Sequence, residues 1–544
     1  VFRLLLQGVR PENILCLTFT KAGAAEMADR IHDRLTAWVQ MNDKALFGDL
    51  EALGEDSGPE ARAKARCLFA EVLESTGGGL RIQTIHGFCQ QLLAAFPLEA
   101  GLAPGFRPLD QREQSTLARQ ALADSVVRAH EEGDAAYMEG LQALSLRLGE
   151  GGAEQFLMRC AARAESLDGL PPEIGPWLLR ELDLPDGDIE AHIAVRCADD
   201  AFDMRSLEWL ARANAEWNTG RALERCDRIA AWRALDATGR GAGLTELHRA
   251  WAKADGEIIS AKGWVPPVDG YGEAAARLHS ACAELIDLRV RADYAALLGK
   301  ALHAGRIYAQ AYAQAKYLAG AVDFDDLIAR TAALLGQEGI ADWIRYKLDQ
   351  RVDHILVDEA QDTNVAQWQI VGALAAEFFA GEGAKGEKVR TIFTVGDFKQ
   401  AIFGFQGTSP QAFEAAQIAF RRHAEHAGHD FHDLSLDRSF RSTPAVLDVV
   451  DRTIAGLDPQ RLGYGGGDVR HISANRFPGE VLLWKPVAAG LTEDTEGEED
   501  WAADQERALA ANIARQIKGW IDTGMMLESK GRPVRPGDIM ILVR

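Results

Sequence analysis

The stretch His354-Ile355-Leu356-Val357-Asp358-Glu359-Ala360-Gln361-Asp362-Thr363 decides how this chain is read. Ile355, Leu356 and Val357 form a short apolar run suited to a buried strand, and two carboxylates follow at its end. In open α/β sheets, ligands bind outside the carboxyl ends of the strands. An Asp there can hold Mg2+ through its oxygens, and an adjacent Glu can orient or deprotonate a water. That layout is the Walker B arrangement of a nucleotide hydrolase, with Asp358 as metal ligand and Glu359 as base. The plainer alternative is a strand followed by an acidic, capped helix start.

Strand and helix signals on either side extend an α/β pattern. Residues 14–20 are β-prone, and Ile31, Leu35 and Trp38 then share one face of a helix. Residues 41–66 are polar and read as a loop with some helix. Gly77-Gly78-Gly79 breaks the chain before a strand from Leu80 to Thr84. From about 97 to 350, Ala-, Leu-, Arg- and Glu-rich stretches with helical spacing dominate, which predicts a large helical insertion. Strand signals return at 354–357 and at 391–395, the latter ending in Gly396-Asp397. Two more, at 480–484 and 539–543, suggest a second α/β domain from about 433. The expected organisation is 1–96 and 351–432 as two parts of one α/β domain, 97–350 as its all-helical inserted subdomain, and 433–544 as the opening of a second domain. Residues 493–500 carry six acids and no base, which reads as a solvated loop.

The totals fit a multidomain globular protein. At 544 residues the chain holds roughly three or four domains, and 47% hydrophobic with 26% charged residues is ordinary for a soluble protein. No apolar run approaches the ~18 residues needed to span a bilayer. Seven scattered cysteines without a Cys-x-x-Cys pair argue against a zinc or iron–sulfur site and fit a reducing cytoplasm. A net charge of −22 weighs against a protein that coats nucleic acid with its whole surface, but leaves room for a local groove with stacking platforms. The first residue is Val rather than Met, and the last follows directly on an apolar strand signal, so the sequence reads as a fragment.

Further segments carry chemistry. In Val395-Gly396-Asp397-Phe398-Lys399-Gln400, a strand ends at Gly-Asp, and the Gln400 amide can both donate and accept towards a γ-phosphate or an attacking water. Phe403 and Phe405 alternate just beyond; their spacing fits the core and equally a platform for unpaired bases. In Arg438-Ser439-Phe440-Arg441-Ser442-Thr443-Pro444, Thr443 and Pro444 read as the N-cap and first position of a helix. Arg441, just ahead of that cap, can reach polyphosphate across a cleft or make a surface ion pair. Phe19-Thr20-Lys21 stands at a strand–turn–helix junction whose amides and hydroxyls suit DNA phosphates. Thr84-Ile85-His86 follows the next strand, where His86 taken alone reads as a hydrogen-bonded structural residue. Asp323-Phe324-Asp325-Asp326-Leu327 reads as a capped helix start.

In chain order, the segments at Phe19-Thr20-Lys21, Thr84-Ile85-His86, Asp358-Glu359, Gly396-Asp397 and Phe440-Arg441 resemble motif Ia, the adjoining Thr-x-His element and motifs II, III and IV of the UvrD-like superfamily 1 DNA helicases. The resemblance implies RecA-like P-loop NTPase motor domains with parallel sheets. It implies ATP and Mg2+ as cofactors, Asp358 on the metal, Glu359 and Gln400 at the γ-phosphate, Phe440 packed on adenine and Arg441 as an arginine finger. It places Phe19, Thr20, Lys21, Thr84, His86, Phe403 and Phe405 against single-stranded DNA, with 3′–5′ translocation. Many members carry Arg where this chain has Gln406, which puts an Arg contact there in doubt. Phe-Thr-Lys, Phe-x-Phe-Gln-Gly and the helical insertion are most similar to AddA-type helicase–nucleases, which implies action at duplex DNA ends, an AddB-like partner and an exonuclease domain. Rival readings are a UvrD-type repair helicase without nuclease and a non-hydrolysing DNA-binding scaffold. No Gly-x-x-x-x-Gly-Lys-Ser/Thr occurs in the chain. Leu4-Leu5-Leu6-Gln7-Gly8 reads as a helix end, so that loop is expected roughly 10–20 residues before Val1.

Overall fold

The computed structural model describes residues 1–75, 79–253, 255–259, 265–337, 339–349, 352–379, 389–401, 408, 410–436, 438–457, 470–487 and 504–543. The chain forms two compact units, one of Val1–Leu92 with Ile328–Arg544 and one of Leu93–Leu327. The fold is α/β, mostly helical with a parallel sheet, and no described helix is long and apolar enough to cross a membrane.

The first unit is built on four strands: β1 (Ile14–Thr18), β2 (Arg81–Thr84), β3 (His354–Val357) and β4 (Thr391–Thr394). Their order is β2-β1-β3-β4, and every neighbouring pair is parallel. β1 is buried at all five residues, as a continuous apolar run in a central strand requires. Thr18 stands opposite Thr84, Leu17 opposite Val357 and Val357 opposite Thr394, so the four carboxyl ends line up along one edge. The entry to β3 is tied to the entry to β1: the Asn13 amide donates to buried Asp353 at 2.6 Å, and the Asp353 amide returns a bond to Asn13 O at 2.9 Å.

The helix Lys21–Gln40 buries Ile31, Leu35 and Trp38, the face expected from its spacing. What covers that face corrects one expectation. Residues 41–66, expected as a loop with some helix, are mostly helix, in Asp43–Ala52 and the first part of Pro59–Glu74. Asn42 caps the first, accepting from the Ala45 amide at 2.9 Å, and Pro59 opens the second. Leu46 and Leu50, then Ala65, Leu68 and Val72, supply sparse apolar stripes that close on Leu35 and Trp38. The polar majority is simply their solvent side. The helix Phe2–Leu6 ends as its sequence suggested, with Gly8 at φ 91° and its amide on Leu5 O.

Further along this unit, β5 (Arg438–Ser439) pairs in parallel with β6 (Ile472–Ser473), and the helix Pro444–Ala455 runs between them. The strands expected at 480–484 and 539–543 do not form. Leu483 is 99% exposed and Leu542 86%, and neither segment has a described strand beside it. An apolar run becomes a strand only where a neighbour satisfies its backbone groups. A two-residue antiparallel pair, Met526–Leu527 with Arg532–Pro533, occurs there instead. The acidic stretch 493–500 lies outside the described residues.

The second unit is helical around one 48-residue helix, Tyr271–Leu318, about 70 Å long at 1.5 Å per residue. Helix Ala135–Ala161 packs so closely on it that a side chain at Gly140 would meet Lys300 O and Ala304 Cβ. Tyr308, Tyr312, Leu144 and Leu157 fill the core beside that contact. The helix Phe324–Gly336, which begins in this unit, starts with reciprocal bonds between Asp323 and Asp326, the capped start read from the sequence. Lys316 sits between both carboxylates at 2.8 and 2.7 Å.

Candidate functional site at the carboxyl edge of the parallel sheet

β3 delivers Asp358 and Glu359 to the sheet edge because its last hydrogen bond is made by Asp358 itself, whose amide donates to Leu17 O at 2.9 Å. Burial pushes the Asp358 carboxyl up; the Glu359 amide at 3.1 Å pulls it down, and the Glu359 charge adds to the rise. A half-buried carboxylate on which burial outweighs the pull of the Arg30 charge fits a divalent cation, which would reverse that rise. No cluster of three His, Cys, Asp or Glu side chains suited to a metal occurs among the described residues. A single protein carboxylate fits Mg2+, which usually keeps several waters and binds substrate phosphates.

Glu359 has φ 51° and ψ 44°, a left-handed conformation that a non-glycine residue adopts at a cost of about 1–2 kcal/mol. The turn Ala360–Asp362 follows, and the Ala360 amide donates to Val395 O at 2.9 Å. Gln361, 2% exposed, joins the two strand ends. Its Nε2 donates to Glu359 Oε2 at 2.6 Å, and its Oε1 accepts from the Asp397 amide at 3.1 Å. Gly396 is required here: a Cβ would lie 2.9 Å from Gln361 Oε1 and 2.9 Å from the Phe413 ring. Gln400 closes the turn Phe398–Gln400 after β4, its amide donating to Asp397 Oδ2 at 3.1 Å. Burial opposes ionisation of Asp397, but hydrogen bonds from Lys399 and Gln400 outweigh it and hold the carboxyl below the usual range. Asp358, Glu359 and Gln400 therefore share one edge. Gln361 was not singled out by the sequence; its one signal was its place in the Asp-Glu-Ala-Gln-Asp string.

The ends of β1 and β2 bring further residues to the same edge. Thr18 Oγ1 donates to Thr20 O at 2.8 Å, and Thr20 Oγ1 accepts from the Gly23 amide at 2.9 Å, capping the helix that Lys21 opens. Phe19 is half-buried, while Thr20 and Lys21 are exposed. Thr84 repeats the device, accepting from the Gly87 amide at 3.0 Å. His86, in the first turn of the helix Ile85–Ala95, has its pKa lowered by burial, which keeps the ring neutral at pH 7.

Phe440 and Arg441 stand apart in the sequence, after β5, with Phe440 81% exposed. The Ser473 hydroxyl on β6 donates to Ser442 O at 2.7 Å, and the Ser442 amide to Ser439 Oγ at 3.2 Å, which fixes the loop that carries them. Thr443 occupies the N-cap position read from the sequence, but its hydroxyl makes no capping bond, and the chain at Gly479 runs hard against it. No hydrogen bond or ion pair among the described residues joins Phe440 or Arg441 to Asp358, Glu359 or Gln400. Phe403 and Phe405 lie outside the described residues.

Comparison with known proteins identifies the family. Residues 1–421 match the UvrD/REP helicase N-terminal domain. The chain is 24% identical to an ATP-dependent helicase/nuclease subunit of Pelotomaculum thermopropionicum over 83% of its length and 35% of that protein's. It is 24% identical to the RecBCD enzyme subunit RecB of Escherichia coli over 98% of its length and 43% of that protein's. Against the corresponding ATP-dependent helicase/nuclease subunit of Bacillus mycoides it is 23% identical over its whole length and 44% of the relative. The chain thus spans less than half the length of these curated relatives. The match across residues 1–421 covers well over half of the chain, and the chain belongs to the UvrD/REP helicase family.

Proposed function

We propose that the chain is the ATP- and Mg2+-dependent motor portion of an AddA-like DNA helicase that acts in double-strand break repair and recombination. The observation that carries this is the shared edge: Asp358 and Glu359 at the end of β3, Gln400 after β4, and the Thr20 and Thr84 turns at the ends of β1 and β2. Asp358 would hold Mg2+ at bound ATP, and Glu359 would take the proton of the attacking water. Gln400 and Arg441 would answer the γ-phosphate, and Phe440 would offer its exposed ring to adenine. The hydroxyls and amides around Thr20, Lys21 and Thr84 would meet strand phosphates. Neutral His86 would serve there as a hydrogen-bonding group rather than as a cation. Phe403 and Phe405 would stack on bases. The names of the relatives support a helicase–nuclease role. An AddB-like partner, duplex ends as point of entry and 3′–5′ movement along one strand belong to this reading through the family resemblance alone.

The test uses the full-length gene product, with and without a co-expressed AddB-like partner, on blunt, 3′-tailed and 5′-tailed duplexes with ATP and Mg2+. Unwinding from blunt or 3′-tailed ends is expected. Phe405→Ala should weaken binding to single strands by about 1–3 kcal/mol, the value of one stacking contact. Nucleotide-independent DNA binding without unwinding would remove the motor reading in favour of a scaffold.

A further inference from the structure

Three facts converge on Gln361. It is almost wholly buried although polar. Both ends of its amide are used, Nε2 on Glu359 Oε2 at 2.6 Å and Oε1 on the Asp397 amide at 3.1 Å. The backbone that it meets is brought close by a glycine that leaves no room for a side chain. A carboxylate requires a donor and a peptide N–H requires an acceptor, and an amide supplies both, so the two contacts fix which way the side chain is turned. Beyond Asp397 the connection continues, since its carboxylate holds the Gln400 amide at 3.1 Å and Lys399 Nζ at 3.0 Å.

Resting on the motor reading, we infer that Gln361 is a positioning residue that aims the Glu359 carboxylate and ties it to the Gln400 turn. Glu359 sits in a strained left-handed conformation on an exposed turn, so its own backbone does not fix where the carboxylate points. The bond from Gln361 removes that freedom. It also makes the carboxylate's place depend on the Asp397 amide, one strand away, and so on the turn that presents Gln400. A shift of that turn on nucleotide binding is passed to Glu359 through one rigid amide. Gln361 is proposed to touch neither nucleotide nor water; its influence runs wholly through the Glu359 carboxylate.

The experiment is a double-substitution cycle in the full-length gene product, reading single-strand-stimulated ATP turnover. Gln361→Met keeps the volume and removes both bonds. It should lower kcat about 10- to 100-fold, the equivalent of one hydrogen bond to a charged group, with KM for ATP within about threefold. In a Glu359→Gln background the same change should cost less than about twofold more, because its route of action is already gone. A normal kcat for folded Gln361→Met, or losses that multiply in the double variant, would overturn the inference. Should Gln361→Met not fold, Gln361→Asn, one methylene too short to bridge, is read by the same criteria. Rapid turnover by Glu359→Gln would instead overturn the role of Glu359 as base, on which the inference rests, so the two failures are distinguishable.

Discussion

Gly396 and Glu359 show how this edge is built at the scale of single residues. Gly396 lets the chain just beyond β4 pass within van der Waals reach of Gln361, Ala360 and Phe413, and Glu359 is held where few non-glycine residues settle. Gly396→Ala should therefore destabilise the protein by about 1–3 kcal/mol, the usual cost of forcing atoms into a packed site. Urea unfolding measures it, and a change below about 0.5 kcal/mol would show that the neighbours give way freely. The sequence revealed Asp358 and Glu359 because the strand and its terminal acids are contiguous. It hid Gln361 because the amide that gives that residue its meaning, on Asp397, lies 36 positions away. That contact exists only once β3 and β4 pair. Thr443 taught a smaller lesson: the residue type marked the helix start correctly, but the chain at Gly479 crowds the place, and the hydroxyl makes no capping bond.

Whole elements were legible where their signal was local and dense. The strands at 14–18, 81–84, 354–357 and 391–394 and the helix carrying Ile31, Leu35 and Trp38 follow from periodicity. Two kinds of element escaped. Helices Asp43–Ala52 and Pro59–Glu74 carry thin apolar stripes in polar text, and their stability comes from closing on a neighbour. Apolar runs at 480–484 and 539–543 look like strands in isolation, but strand formation depends on a partner. Leu46 decides the first case experimentally. It is fully buried, and Leu46→Ala should cost about 2–5 kcal/mol in denaturant unfolding. A polar surface loop would tolerate the change within about 0.5 kcal/mol.

At the scale of the molecule, a parallel sheet with its carboxyl ends aligned gathers, from residues 18 to 400, groups that the sequence scatters. A net charge of −22 is compatible with the proposed DNA motor because the contacts proposed for the strand at this edge are the hydroxyls and amides around Thr20 and Thr84 with the single cation Lys21, rather than a basic coat. The central claim is that this edge hydrolyses ATP with Glu359 as base, and single-turnover and steady-state ATPase of full-length Glu359→Gln on single-stranded DNA tests it most directly. The account predicts retained ATP and DNA binding with turnover lowered at least ~10²-fold, the lower range for a lost general base. Near-normal turnover in that variant would contradict it.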